Sequence, residues 1–224
     1  MKKIACLLCF LSLSLSPVSQ AQGTYTLEQV FAKMDEVAKT FRSTQSDIER
    51  THVTILVNDK DVSSGKFYYV RQGKEPRVRL DLTKPAIQQL LIDKGKLQIY
   101  TPNLKQVQEA SLGQHQDKVE MFMALGFGQS SEDLKRNFAV SVAPDEVVEG
   151  RKTTVLELKP KNSSMFRSVQ MWMDQEKWVS IQIKTTESSG DYLNLKFYNI
   201  KINPKIPEST FILKLPGDVR VLKM

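Results

Sequence analysis

The chain has 224 residues, 32 of them basic and 25 acidic, which gives a formal net charge of +7. The basic residues are spread along the sequence, a pattern typical of a solvated surface; this argues against nucleic acid but allows loose attraction to anionic lipid headgroups. The cysteines, Cys6 and Cys9, both lie near the N-terminus, which excludes thiolate sites and disulfides from the rest of the chain.

The first 21 residues have the three parts of a secretory signal peptide. Basic residues precede an apolar run over 4–15, and Ser19 and Ala21 stand where small residues are expected before a cleavage site. The run is shorter than the about 20 residues that span a bilayer. The sequence therefore predicts export to the periplasm, cleavage between Ala21 and Gln22, and a single domain over 22–224.

A buried N-terminal helix and a lipobox at Cys9 are the alternative interpretations of this segment. Cys9 follows Leu8 rather than a small residue and sits within the apolar run, which argues against the lipobox. Without Lys2 and Lys3 the 32 basic residues fall to 30, against 25 acidic ones, so the exported chain carries +5. About 200 residues without disulfides must be held by a hydrophobic core, and they are enough to build one.

A first helix is predicted after Thr24 or Thr26, either of which can cap it. Apolar residues recur there at steps of three and four, which predicts one apolar stripe. A stripe of this kind usually packs in a core, and it can also contact a ligand. Its members are Leu27, Val30, Phe31, Met34, Val37, Ala38 and Phe41.

From Ser46 the apolar period changes to two, which is typical of strands with one apolar face. A strand through Val53, Ile55 and Val57 is expected to turn at 58–61 and return through 67–69. The strand over 77–82 alternates charged and apolar residues, and the stretch 88–112 is expected to form a short antiparallel meander.

After a Met-rich segment at Val119–Phe127, expected to be helical, Ser130 and Asp133 predict the cap of a second short helix. Further strands are expected at Ala139–Val142, Val147–Val148, Thr153–Lys159, Val169–Asp174, Trp178–Thr185, Leu193–Ile202 and Phe211–Leu213. The predicted fold class is mainly β with helices (α+β), with about eleven antiparallel strands.

No pattern in the sequence indicates catalysis, a metal or a cofactor. The two histidines, His52 and His115, are far apart in the sequence and belong to no metal-binding motif. Nucleophile-elbow and phosphate-loop motifs are also missing, so we expect no enzyme activity. What remains is an adaptable apolar surface, since six methionines occur in the body of the chain, and they either fill core gaps or pack around variable apolar ligands. They are Met34, Met121, Met123, Met165, Met171 and Met173.

The segment Ile92–Val107, IDKGKLQIYTPNLKQV, resembles the motif I-x-D-G-K-x-L-W-x-Y-x-P-x-x-x-Q of the periplasmic outer-membrane lipoprotein carriers, the LolA-like proteins. The strand Leu156–Pro160 and the closing region are also similar to this family. The closing region comprises Gly190, Leu193–Ile202, Thr210-Phe211 and Leu215–Val219. The resemblance extends from Leu27 to Val221. It departs from the pattern in lacking an aromatic residue near 97–99 and in having Lys74-Glu75-Pro76 in place of Arg-Pro.

This resemblance implies an incomplete antiparallel barrel roofed by helices, with a hydrophobic cavity for acyl chains. It also implies a monomeric periplasmic carrier of acylated lipoproteins, with an inner-membrane release complex, an outer-membrane acceptor and transient membrane contact. The alternatives are a lipid-sensing or regulatory module of the cell envelope and a glycolipid carrier.

Strand alternation predicts the cavity lining. Arg77, Arg79 and Asp81 would cost several kcal/mol each if buried unpaired, so the apolar residues of that strand must face inward. The expected lining is Phe31, Met34, Val78, Leu80, Leu82, Leu90, Ile92, Leu97, Ile99, Met121, Phe122 and Leu125. The role of the family's functional arginine is open between Arg71, the nearest arginine, and Lys74, its ungapped counterpart, as a possible polar gate.

Overall fold

The computed structural model describes residues 23–71, 76–114, 126–162 and 166–223. Within them, two α-helices lie beside one sheet of twelve strands. The helices are α1 (Leu27–Thr40) and α2 (Ser131–Asn137). The strands are β1 (Ser43–Thr54), β2 (Asp59–Val70), β3 (Arg77–Lys84), β4 (Gln88–Asp93), β5 (Lys96–Thr101), β6 (Gln106–Ser111), β7 (Phe138–Val148), β8 (Arg151–Pro160), β9 (Phe166–Asp174), β10 (Ser180–Glu187), β11 (Tyr192–Ile202) and β12 (Arg220–Lys223).

The strands follow the order β12-β6-β5-β4-β3-β2-β1-β11-β10-β9-β8-β7, and the sheet stays open because its edges, β12 and β7, do not pair with each other. The pairs are antiparallel apart from the parallel pair of β12 and β6. The predicted fold class is therefore confirmed, with one strand more than expected. The strand predicted at Phe211–Leu213 is wrong: a 3-10 turn over Glu208–Phe211 takes its place, and an edge strand forms later, at β12.

Helix α1 begins with a complete capping box, in which Thr26 and Gln29 exchange hydrogen bonds. Its apolar stripe joins a core to which β7–β10, β1–β4 and β11 all contribute. The start of α2 is held against α1, because Ser131 donates from its amide and its hydroxyl to the two carboxyl oxygens of Asp35, each at 2.7 Å. Most of the helix predicted at Val119–Phe127 lies outside the described residues. Among the described helices, none is long and apolar enough to cross a bilayer.

Antiparallel pairing places five turns at the same end of the strands, here called the hairpin end. They join β1 to β2, β3 to β4, β5 to β6, β8 to β9 and β10 to β11. The first and last of these turns touch, since the Ile55 amide donates to the Asp191 carboxylate at 2.8 Å. The C-terminus of α1 and the end of β2 lie at the opposite end.

The first hairpin turns earlier than the sequence predicts. β1 ends at Thr54, a 3-10 turn covers Ile55–Val57, and Asn58 adopts a left-handed conformation with φ of 51°. Asn tolerates this conformation better than a β-branched residue does, so it marks the return of the chain. The aliphatic residues of the turn are consequently exposed instead of lying within a strand.

The charged face of β3 is buried, although its alternation predicts a polar outer surface. Arg77 forms ion pairs with Asp93, at 2.7 Å, and Glu208, at 2.5 Å, and its guanidinium lies 4.3 Å from the Phe211 ring centroid. Arg79 pairs with the neighbouring aspartate on its own strand and donates to the backbone carbonyls of residues 210 and 212. The C-terminal segment 204–214 thus covers this face, and pairing removes the cost that unpaired charges would carry.

Candidate functional site

A cavity of about 270 Å³ lies on the apolar face of the sheet. Its wall comes from six neighbouring strands, in the order β4, β3, β2, β1, β11 and β10, and from Phe127. Because six strands share one cavity, the sheet must curve around it. The lining residues are Ile48, Arg50, Phe67, Tyr69, Val78, Leu80, Leu82, Gln88, Leu90, Phe127, Ile183, Thr185, Leu193, Leu195 and Phe197.

The wall is built from rows of directly paired residues. Leu80 on β3 lies opposite Phe67 on β2 and Leu90 on β4. On the other side, Leu195 of β11 lies opposite Arg50 and Ile183. Since paired residues of neighbouring strands point to the same face, each row extends the apolar surface across the sheet.

Phe127 closes the cavity opposite the sheet. Its ring centroid lies 5.0 Å from that of Phe197 and 5.6 Å from that of Phe67. Both flanking glycines have positive φ, 112° at Gly126 and 68° at Gly128. A Cβ on Gly128 would lie 2.3 Å from the ring of Phe41, so the backbone here can approach the core only as glycine.

One charged residue, Arg50, faces the cavity among its described lining residues. It donates to the Asp61 carboxylate at 3.1 Å and to the Ser63 hydroxyl at 3.3 Å. Its position near the end of β1 and its bond to Asp61 place the guanidinium at the hairpin end of the cavity, where the side chain remains 30% exposed. A polar ligand group at this end could therefore reach a cation while its hydrocarbon part stayed among apolar side chains.

Arg71 lies at the opposite end of the cavity and contacts α1. It donates to the backbone carbonyl of Ala38 at 2.9 Å, and its guanidinium is 5.9 Å from the ring centroid of Phe41. Burial raises the pKa of the nearby Tyr69 hydroxyl, and Arg71 counteracts this only in part. The arginine thus holds the last turn of α1 against the end of β2, whereas Lys74 lies outside the described residues.

The structure brings together part of the predicted lining. Val78, Leu80, Leu82 and Leu90 all lie on the cavity wall. Two other sets of predicted residues are placed elsewhere. Five predicted residues lie off this wall, in the adjoining core or on β5 beside it: Phe31, Met34, Ile92, Leu97 and Ile99. Outside the described residues are Met121, Phe122 and Leu125.

Sequence reasoning missed the residues that long-range pairing contributes. Ile48 and Phe197 meet because β1 pairs with β11, about 150 residues later in the chain, and no local pattern indicates that pairing. For Phe127 the sequence predicts only the end of a helix. The signal available for it was an aromatic residue between two glycines, in a segment that otherwise lacks strand alternation.

The site offers apolar contacts with a small number of polar groups near its ends. Its volume is just below the roughly 300 Å³ at which small-molecule sites usually begin, so it suits a narrow hydrocarbon better than a bulky polar ligand. No group of three or more potential metal ligands comes together among the described residues.

Comparison with known proteins gives this geometry a family context. The family model for "Outer membrane lipoprotein carrier protein LolA" matches residues 55–214. Outer-membrane lipoprotein carrier proteins of Legionella pneumophila (strain Corby) and Bordetella avium (strain 197N) are similar in sequence. The first is 31% identical over 166 residues, 72% of this chain and 74% of that protein. The second is 27% identical over 184 residues, 82% of each chain.

A solved structure shares the fold at much lower identity. It is an uncharacterized conserved protein from Thermus thermophilus, with a TM-score of 0.56 and 10% identity over 88% of this chain and 98% of that one. The family match covers most of the sheet, including all the strands that line the cavity except β1, and it confirms the resemblance found in the sequence. The chain therefore belongs to the LolA family of outer-membrane lipoprotein carrier proteins.

Proposed function

We propose that this protein is a periplasmic carrier that shields the acyl chains of lipoproteins during transfer from the inner to the outer membrane. The observation that carries the proposal is the apolar cavity on the open sheet of a LolA family member. The signal-peptide pattern of residues 1–21 supports export, and the names of its relatives support lipoproteins as the cargo.

Energetics favour a cavity of this kind for carriage through water. Each buried CH₂ group gains about 0.8 kcal/mol relative to water, so a long acyl chain gains on the order of 10 kcal/mol. Relative to a bilayer the gain is close to zero, because lipid tails are as apolar as the cavity wall. Cargo can therefore pass between membrane and carrier with little net cost, and small contacts can set the direction.

We assign opening of the cavity to the residues that hold it closed on the side of α1. Entry of a long chain requires more room than about 270 Å³ provides, and Phe127 is the aromatic residue that closes this space. The Arg71 contact with the last turn of α1 would act as the polar gate, because it must break before that turn can lift. An inner-membrane release complex and an outer-membrane acceptor would load and unload the carrier.

Extraction of the native protein tests this proposal. The protein is purified from the periplasm without detergent, extracted with organic solvent and analysed by mass spectrometry, and the emptied protein is offered a triacylated lipoprotein. We expect acylated cargo in the extract and a soluble complex in the second assay. A lipid-free protein that also fails to solubilise the lipoprotein would overturn the proposal.

Depletion of the protein followed by membrane fractionation separates carriage from the alternatives. Lipoproteins retained at the inner membrane support the carrier. A changed envelope-stress response with normal lipoprotein placement would instead support a sensor, and glycolipid in the extract would support a glycolipid carrier.

A further inference from the structure

Aliphatic side chains are exposed to solvent on three separate turns of the sheet. The turn between β1 and β2 exposes Ile55, Leu56 and Val57 at 55%, 93% and 67%. Ile87, before β4, is 49% exposed, and Leu104, between β5 and β6, is 67% exposed. Exposed apolar residues are ordinary when scattered, so their common location is what requires an explanation.

All three turns lie at the hairpin end. β1 to β6 are consecutive neighbours in the sheet and antiparallel, so every second turn falls at the same end of the strands. The aliphatic tips therefore follow one rim of the sheet. The other five exposed large hydrophobic residues of the described chain belong to other elements, and one of them, Val147, lies near the end of β7, at the opposite end of the sheet.

The cavity extends towards this rim. Leu82 pairs with Gln88, both line the cavity, and Gln88 directly follows the exposed Ile87. On β1, the cavity-lining Arg50 is the last lining residue before the first turn. Phe127, Tyr69 and the Arg71 contact with α1 lie away from this rim, so the closing contacts found within residues 23–71, 76–114, 126–162 and 166–223 are at the other end of the cavity.

Each of these turns also carries an exposed lysine. Lys60, Lys84 and Lys105 accompany the aliphatic tips of the first, second and third turns. Acidic neighbours are present as well: Asp59 and Asp61 follow the first tip, Asp191 accepts the amide of Ile55, and Lys105 lies 2.6 Å from Asp218. Aliphatic residues with lysines beside them match the boundary between acyl chains and anionic headgroups. There the aliphatic side chains insert among the acyl chains, and the lysines bind the phosphate groups.

A bilayer fits these tips better than a protein surface does. Protein interfaces draw most of their binding energy from Trp, Tyr and Arg in packed pockets, and the three turns contain none of these residues. Separate protruding aliphatic tips would need several matched pockets on a protein, whereas a fluid bilayer accepts each of them independently.

We propose that the hairpin end docks on an anionic lipid bilayer by inserting the aliphatic tips of the β1–β2, β3–β4 and β5–β6 turns. Docking in this orientation sets the hairpin end of the cavity, where Arg50 lies, against the boundary between headgroups and acyl chains. The purpose of this contact rests on the proposed carrier function, but the docking surface is tested independently of cargo.

Vesicle flotation tests the surface directly. The mature chain, residues 22–224, is mixed with vesicles of phosphatidylethanolamine and phosphatidylglycerol, and the floated fraction is measured. Replacing the first tip (Ile55→Ser, Leu56→Ser, Val57→Ser) should lower vesicle affinity at least about tenfold, because burial of even one large aliphatic side chain changes a binding constant by about that factor. Val147→Ser, at an equally exposed aliphatic residue of the opposite end, should change nothing. Equal flotation of both variants, or no flotation of the unaltered chain, would overturn the proposal.

A fluorescent label reports insertion and identifies the surface that is bound. The mature chain has no cysteine, so Leu56→Cys and Val147→Cys each accept a single environment-sensitive dye. Pure lipid vesicles should shift the emission of the first label to the blue and leave the second unchanged. A shift that appears only with native outer membranes, and not with pure lipid, would assign the tips to a protein acceptor and refute the lipid proposal.

Cargo loading keeps the two proposals apart. The triple serine variant retains every cavity residue and should still solubilise a triacylated lipoprotein. If the unaltered chain floats with vesicles but binds no cargo, the carrier proposal is refuted and the docking proposal stands. If it binds cargo but does not float, the docking proposal is refuted and the carrier proposal stands.

Discussion

One apolar face of the sheet is closely packed in one half and hollow in the other. On β8 and β9, Leu156, Leu158, Val169 and Met171 are completely buried in the core that includes α1. Across β1–β4, β11 and β10, side chains of the same kind surround a cavity, with Phe127 inserted from the opposite side. The same alternating pattern therefore produces a solid core in one part of the sheet and a binding space in the other.

The hollow half is supported from its other face. There the C-terminal segment 204–214 binds the two buried arginines of β3 through ion pairs and backbone carbonyls. Strand β3, whose Leu80 is only half-buried on the cavity side, is thus also packed on its outer face. A cavity can persist in this position because the strands that form it do not depend on filling it.

The largest expected difference is between a glutamate introduced into the packed half and one introduced into the hollow half. Leu156→Glu buries a carboxylate in a packed core and should prevent folding, because no water or partner can reach it. Leu80→Glu should leave the protein exported and folded but unable to retain an acyl ligand, since Leu80 is only half-buried beside a cavity that admits water. Yield, circular dichroism and ligand retention measure both. Degradation of the Leu80→Glu protein would mean that this position is solid core.

Truncating one phenylalanine in each half gives the next largest effect. Phe138→Ala, in the packed half, should cost about 4 kcal/mol of unfolding free energy, since it adds a cavity to the lost burial. Phe127→Ala should cost less, about 3 kcal/mol, because part of its buried ring already borders the cavity and its removal adds less new void. Urea denaturation gives both values. The Phe127 variant should also bind longer fatty acids in a fluorescence-displacement assay, and equal costs for the two variants would contradict the comparison.

Removing the outer support should destabilise the hollow half. Arg77→Ala leaves the Asp93 carboxylate without its buried partner and should lower the unfolding free energy by about 3 kcal/mol. This value is at the lower end for a broken buried ion pair, because the other partner, Glu208, is exposed and stays hydrated. Hydrogen exchange should increase in β3 and β4 more than in β8 and β9. Arg167→Ala, at an exposed position on β9, serves as the control and should be neutral.

The smallest effect is the pH dependence of Asp145 at the margin of the packed half. Burial raises the pKa of this carboxyl, but hydrogen bonds from Thr24, at 3.0 Å, and Gln175, at 2.9 Å, outweigh it and leave the pKa lowered. A lowered pKa stabilises the fold above the unfolded value of about 3.9, and that contribution disappears as the pH falls through the folded value. Asp145→Asn should therefore lower the Tm slightly at pH 7 and not at pH 2. An equal loss at both pH values would assign the effect to packing.

Local patterns predicted most of the elements and part of the site. The Thr26 and Ser130 caps, the apolar stripe of α1 and the inward face of β3 depend on neighbouring residues, and each is found where expected. The turn at Ile55–Val57 was missed because β-branched residues favour strands, whereas pairing of β1 with β2 and β11 ended the strand at Thr54.

The sequence by itself determined which face of each strand is apolar, since side-chain alternation is a property of the extended backbone. Only the tertiary structure decided what covers those faces: α1 over one half, Phe127 over the other, and the C-terminal segment over the charged side of β3. Covering depends on contacts between residues far apart in the chain, such as Ile48 with Phe197 and Arg77 with Glu208. No local pattern encodes those contacts, so the position of the cavity follows from the fold rather than from any one segment.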